Sequence, residues 1–263
     1  MSRYLLVVFA VLALARPAFA VQWTSWIKPK GKVGNGDIWF GGAGPGRNIA
    51  VLFGGAFVSD KQVKAWADNL TERAPTKLAD FGVHVVYAVP GPVDASFAKR
   101  EIQVDKLAEA VNNTSERLWP GVIIFAAHSS GAAVAELTLA EIAKKFPAML
   151  KTIVYFRLDG GGGLAPATAK KLGGAFCVAA KCSKSVTSQN GGACYGSVTS
   201  KIVTDTPNAC KVGWCCHLAL INTAPKTLTK GDANDYTTFT GGSVANGLWL
   251  EKQKTLLKKM AGP

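Results

Sequence analysis

The stretch Gly121 to Ala133, reading Gly-Val-Ile-Ile-Phe-Ala-Ala-His-Ser-Ser-Gly-Ala-Ala, constrains this chain more than any other. Val122 to Ala127 is an unbroken apolar run of strand length. A polar triplet and a glycine follow, and helical spacing starts at once with Ala132, Ala133, Val134 and Leu137. The pattern predicts a buried strand, a sharp turn and a helix. Ser129 stands in the turn with small residues two positions away on each side, Ala127 and Gly131. A nucleophile on a strained strand-to-helix turn requires this, because larger side chains there would strike the neighbouring strand and helix. Ser130 fits less well, since its upstream counterpart is the bulky His128. The competing reading of Ser129 is a helix N-cap.

Around this unit the chain alternates strand and helix. Apolar runs at 48–53, 83–89, 152–158 and 175–180 read as buried strands, and helical spacing covers 60–79, about 98–117, 132–146 and 165–172. Short early strands rich in tryptophan are expected over 23–42, and an amphipathic terminal helix over 244–260. This order predicts an α/β fold with a mainly parallel sheet covered by helices on both faces. The glycine run 41–46 does not read as a phosphate loop, because it leads into a strand where such a loop opens a helix. Gly54, Gly55 and Ala56 follow a strand and precede a helix, which allows backbone N–H groups of Gly55 or Ala56 to face a developing oxyanion. A plain turn is the alternative. Asp159 ends the strand after the Ser129 helix, so it emerges on the same sheet rim as Ser129. Its alternative is to cap the glycine turn that follows.

Residues 1–20 carry Arg3, the apolar run Leu5 to Leu14 and the small-residue end Ala18-Phe19-Ala20, the pattern of a secretory signal peptide. The rest, 21–263, is expected to form a single domain of a secreted protein, extracellular or periplasmic. All six cysteines lie between Cys177 and Cys216, which suits disulfides stapling one loop-rich region, 182–214. A zinc site of Cys210, Cys215, Cys216 and His217 matches no usual ligand spacing, and neither a metal nor a cofactor is expected. The net charge of +13 favours adsorption to an anionic polymer or membrane surface. Basic residues are scattered, which argues against a dedicated nucleic-acid groove.

A serine nucleophile needs a base, and there are three histidines. His84 lies inside a strand, where a structural role is expected, and His128 adjoins the nucleophile with its side chain directed away. That leaves His217, which follows Ser129 and Asp159 as the order Ser, Asp, His requires; a buried structural role is its alternative. On Ala127-His128-Ser129-Ser130-Gly131, Gly54-Gly55, Asp159 and His217, the chain resembles the α/β-hydrolase superfamily, in particular its secreted serine esterases and lipases. It departs from that pattern in having Ala127 for the first motif glycine, and in placing the acid directly after the strand next to the nucleophile's helix. Asp205 is therefore kept as a reserve acid. The resemblance implies a triad of Ser129, Asp159 and His217 cleaving carboxylic esters through an acyl-enzyme, with an oxyanion hole from Ser130 and Gly55 or Ala56. Two alternatives remain at this stage: a non-catalytic secreted binding protein on the same fold, and an acyltransferase using the same residues.

Overall fold

A computed structural model describes residues 22–27, 36–92, 104–160, 163–180, 200–204, 217–218, 220–221 and 245–262. Three apolar runs form its centre. Strands Asn48–Phe53, Ile123–His128 and Ile153–Leu158 are buried at every position, as strands covered on both faces must be. In chain order the eight strands are β1 (Gln22–Ile27), β2 (Ile38–Gly42), β3 (Asn48–Phe53), β4 (Val83–Val89), β5 (Ile123–His128), β6 (Ile153–Leu158), β7 (Gly174–Ala180) and β8 (Ser200–Thr204). They form one sheet in the order β1-β2-β4-β3-β5-β6-β7-β8. The pairs β1/β2 and β2/β4 are antiparallel, and the five remaining pairs are parallel.

Helices α1 (Asp60–Glu72), α2 (Val104–Leu118), α3 (Gly131–Lys145), α4 (Pro166–Ala169), α5 (Leu248–Glu251) and α6 (Lys254–Ala261) flank the sheet. Ala50, Leu52, Ile124 and Phe156 share one core with Val63 and Trp66 of α1, Trp249 of α5 and Leu257 of α6. Ile49, Val51, Phe53 and Phe125 share the other with Leu107 and Val111 of α2 and Val134 and Leu139 of α3. The period-two alternation of the strands therefore feeds two cores, one on each face. Each large apolar side chain so buried contributes about 1.5–3 kcal/mol.

Two polar devices lock the edges of this frame. The Asn48 amide donates to the Phe81 carbonyl (2.7 Å) and accepts from the main-chain N–H of Gly121 (2.9 Å) and Val122 (3.1 Å), tying together the starts of β3, β4 and β5. The early tryptophans clasp α1: Trp23 Nε1 donates to Asp68 (3.0 Å) and Trp39 Nε1 to Asp60 (2.7 Å), with the Lys64 ammonium 3.4 Å above the Trp39 ring. Burial lifts the Asp68 carboxyl to about 6, against the Trp23 hydrogen bond, which lowers it. His84 is structural as expected, its Nδ1 donating to the Gly44 carbonyl at 2.6 Å.

Several boundaries differ from the sequence expectation. The helix expected over 60–79 stops at Glu72, because Pro75 disfavours helical geometry at the residue before it; residues Leu78–Phe81 form a separate 3-10 turn. The terminal helix expected over 244–260 is two short helices broken at Lys252 and Gln253, and Leu248 is left exposed. The region 182–214, expected to be loop, contributes the edge strand β8. Buried Cys177 in β7 is disulfide-bonded, while the other five cysteines, and with them the expected stapled loop, lie outside the described residues. Residues 1–20 and Asp205 lie outside them as well.

Candidate active site

Strands β5 and β6 pair in parallel with His128 opposite Leu158, so the residue that follows each strand, Ser129 and Asp159, emerges side by side on the carboxyl rim. Both adopt left-handed backbone geometry, φ 54° at Ser129 and φ 45° at Asp159. Such conformations cost a non-glycine residue about 1–3 kcal/mol and persist only where the surroundings enforce them. The enforcement is visible. The Ser129 N–H donates to the Leu158 carbonyl (3.0 Å), the Asp159 N–H donates to the Val178 carbonyl (2.9 Å), and the Ser129 carbonyl accepts from Ala132 (3.1 Å) to open α3.

The small residues around Ser129 are there for space. A Cβ on Gly131 would run into the Gly54 carbonyl oxygen and lie 2.8 Å from that of Phe53. A Cβ on Gly160 would lie 2.5 Å from the Ser129 carbonyl oxygen, and one on Gly55 would lie 2.9 Å from the Ser129 Cβ. The turn after β3 is thus pressed against the turn after β5, with Gly55 directly beside the Ser129 side chain. Gly91 supports this from the other side, since a Cβ there would collide with the Gly55 carbonyl. Among the described residues, no backbone acceptor takes the N–H of Ala56 or Ser130.

His217 closes the arrangement. Its Nδ1 lies 2.7 Å from Oδ2 of Asp159, which is fully buried. A carboxylate only accepts, so Nδ1 is the donor in this contact, and in the neutral ring that makes Nε2 the acceptor nitrogen. The His217 ring packs on the His128 ring with centroids 4.3 Å apart, and His128 Nε2 donates to the His217 carbonyl at 3.0 Å. His128 itself is fully buried, and burial followed by the proximity of His217 depresses its imidazole to about 3. It is therefore a neutral donor at ordinary pH. The structure places Ser129 beside Asp159 and Gly55 at the carboxyl rim and joins Asp159 to His217, in the chain order Ser, Asp, His. The fold is a mainly parallel α/β sheet with helices packed on both faces.

Sequence reasoning placed the small residues correctly and missed two supports. The sequence reading directs the His128 side chain away from the serine, whereas the structure packs it on His217; a polar ring at the end of an otherwise apolar buried strand is the signal that it holds something. Gly91 stands in a Pro-Gly-Pro stretch after β4, where nothing local marks it as the floor under Gly55. Also unforeseen is a buried polar cluster linking α3 to β6, in which Glu136 accepts from Tyr155 (3.1 Å) and Arg157 (3.3 Å). Burial raises the Glu136 carboxyl, with Arg157 opposing the shift.

No family model matches the sequence, and no curated protein matches it either. Among solved structures the chain is similar to TT1662 from Thermus thermophilus, at 13% identity and a TM-score of 0.41, over 75% of this chain and 94% of that one. It is similar to naproxen esterase, carboxylesterase NP, from Bacillus subtilis at 16% identity and a TM-score of 0.30, covering 53% of this chain and 44% of the esterase. Haloalkane dehalogenase DatA from Agrobacterium tumefaciens, solved as a mutant, gives 14% identity and a TM-score of 0.28, covering 51% and 41%. The similarity spans less than half the length of these last two enzymes.

Proposed function

We propose that this protein is an exported serine hydrolase that cleaves carboxylic esters, with Ser129 as nucleophile, His217 as general base and Asp159 as the orienting acid. The observation that carries the reading is the 2.7 Å contact between His217 Nδ1 and the buried Asp159 carboxylate, beside a serine held in left-handed geometry at a strand end. That contact fixes the tautomer whose Nε2 can accept a proton. In the reaction, Ser129 Oγ attacks the ester carbonyl carbon as its proton passes to His217 Nε2, and the carbonyl electron pair moves onto oxygen. The Ser130 N–H, together with that of Gly55 or Ala56, stabilises the resulting oxyanion. Collapse expels the alkoxide, which takes the proton from His217 and leaves as the alcohol. Water then adds to the acyl-serine with His217 again as base, releasing the carboxylic acid and restoring Ser129. Export rests on the leader pattern of residues 1–20.

A fluorophosphonate probe tests the nucleophile. The wild-type protein is expected to label and to turn over short-chain nitrophenyl esters, with both lost in Ser129→Ala and turnover reduced about 10⁴-fold or more in His217→Ala. Labelling of Ser129→Ala at the wild-type rate, or an unlabelled wild type, contradicts the assignment. Transfer of the acyl group to added alcohol in preference to water would make the protein an acyltransferase.

A further inference from the structure

In this fold the helices run against the parallel strands, so helix C-termini gather at the sheet end opposite Ser129. That end is crowded with exposed basic side chains. Lys151 precedes β6, Lys170 and Lys171 precede β7, Arg47 precedes β3, and Lys258 and Lys259 close α6. These are one patch in space. A Cβ on Gly121 would strike the Met260 carbonyl and one on Gly173 the Met260 side chain, with the Lys151 carbonyl 2.6 Å away; a Cβ on Gly262 would lie 2.7 Å from the Arg47 guanidinium. The last turn of α6 therefore packs among the segments that carry the other cations. Arg47 and Lys258 also line a cavity of about 650 Å³ at this end, where Asp80 is the acidic side chain of the lining. Trp119 joins the same end two residues before Gly121, 78% exposed and at a left-handed backbone position, φ 49°.

We propose that this basic end is a peripheral docking surface for a lipid bilayer carrying anionic phosphate headgroups. Cations near a helix C-terminus offset its dipole, but that role calls for no exposed indole and no basic cavity. Lysines and arginines around an exposed tryptophan match the chemistry of a membrane interface, where the indole settles at headgroup depth and cations meet the surface charge. An extended acidic polysaccharide would call for a groove with repeated aromatic platforms, and the described surface offers one indole on a broad face. Among the described residues no helix is long and apolar enough to cross a membrane; docking through this surface is peripheral by its nature. The docked molecule would turn its carboxyl rim toward water, about 20 Å from the bilayer given a six-residue β5, and so act on substrates arriving from solution. That last consequence rests on the hydrolase reading; the docking does not.

Co-sedimentation of the purified protein with vesicles of phosphatidylcholine alone, or mixed with phosphatidylglycerol, tests this. Binding is expected to the mixed vesicles and not to phosphatidylcholine, and to weaken with salt. The double variant Lys170→Glu, Lys171→Glu is expected to bind about tenfold or more weakly. The charge-matched double variant Lys61→Glu, Lys106→Glu, at the starts of α1 and α2, should stay within about twofold of wild type. Trp119→Ala should weaken binding that survives high salt. The proposal is overturned if mixed vesicles are not bound, or if both double variants weaken binding equally. It is overturned too if Trp119→Ala changes nothing, or if polygalacturonate competes the protein off the vesicles and binds it more tightly. Inhibition of all esterase activity by Ser129→Ala leaves these outcomes unchanged, which separates the two readings.

Discussion

The imidazole of His128 donates from Nε2 to the main-chain oxygen of His217 at 3.0 Å, and the two rings lie 4.3 Å apart. The residue before the serine thus holds the backbone of the candidate base, while Asp159 holds its ring. His128→Phe keeps a ring of similar breadth and removes the donor. It should lower kcat for nitrophenyl esters by about 10²-fold, as expected when a catalytic group is displaced by about an ångström, with KM changed far less. His128→Gln, which can donate again, should recover part of the loss. Full kcat in the phenylalanine variant would show that the anchor is dispensable.

The same histidine sets an acid limit on stability. Its folded-state value of about 3 lies below the ordinary 6.5, so between these the unfolded chain binds the extra proton. Stability should therefore fall as pH drops from about 6.5 toward 3, by at most about 1.4 kcal/mol per pH unit from this group. Urea unfolding between pH 7 and pH 4, compared with His128→Phe, measures it; an identical slope in the variant refutes the assignment.

Ser129 occupies a conformation that suits glycine. Ser129→Gly should raise stability by about 1 kcal/mol, the relieved backbone strain less the greater freedom of glycine in the unfolded chain, while abolishing probe labelling. Denaturant midpoints of the two proteins decide this, and a less stable glycine variant would mean that the turn carries no net strain.

The Glu136, Arg157 and Tyr155 cluster joins the helix that follows Ser129 to the strand that delivers Asp159. Arg157→Met would leave a buried carboxylate without its cation and should destabilise the protein by about 3–5 kcal/mol. Adding Glu136→Leu should recover most of that, since apolar replacement of both partners is close to neutral. A double variant as unstable as the single would contradict this.

Asp68 works in the opposite sense to His128. Its carboxyl is raised from 3.8 to about 6, so the folded state holds the proton more firmly, and the penalty of ionising it grows as pH rises through that window. Asp68→Asn can still accept the Trp23 N–H and should melt higher at pH 7 to 8, with the gain fading near pH 4. Calorimetry at both ends of the range is the check.

Much of this was legible in the sequence because local chemistry and global position coincide. The unbroken apolar runs of β3, β5 and β6 had to be central strands, and Ala127, Gly131 and the residue at a strand end located the turn. What escaped were contacts whose partners are remote in the chain. Nothing near Gly91 reveals that it lies against Gly55, and His128 meets His217 across 89 positions. Helix lengths failed where a single residue decided them, as Pro75 did for α1. Strand β8 escaped because Ser200–Thr204 holds only Ile202 and Val203 as apolar residues and lacks the continuous apolar run of β5.

The amide of Asn48 reaches, through one side chain, a carbonyl 33 positions away and an N–H 73 positions away. Three stretches of backbone therefore cannot loosen one at a time at that edge. Deuterium uptake at the Gly121 and Val122 amides should accordingly track whole-molecule opening and not fraying of a nearby turn, making these two protons a built-in gauge of the cooperative unit.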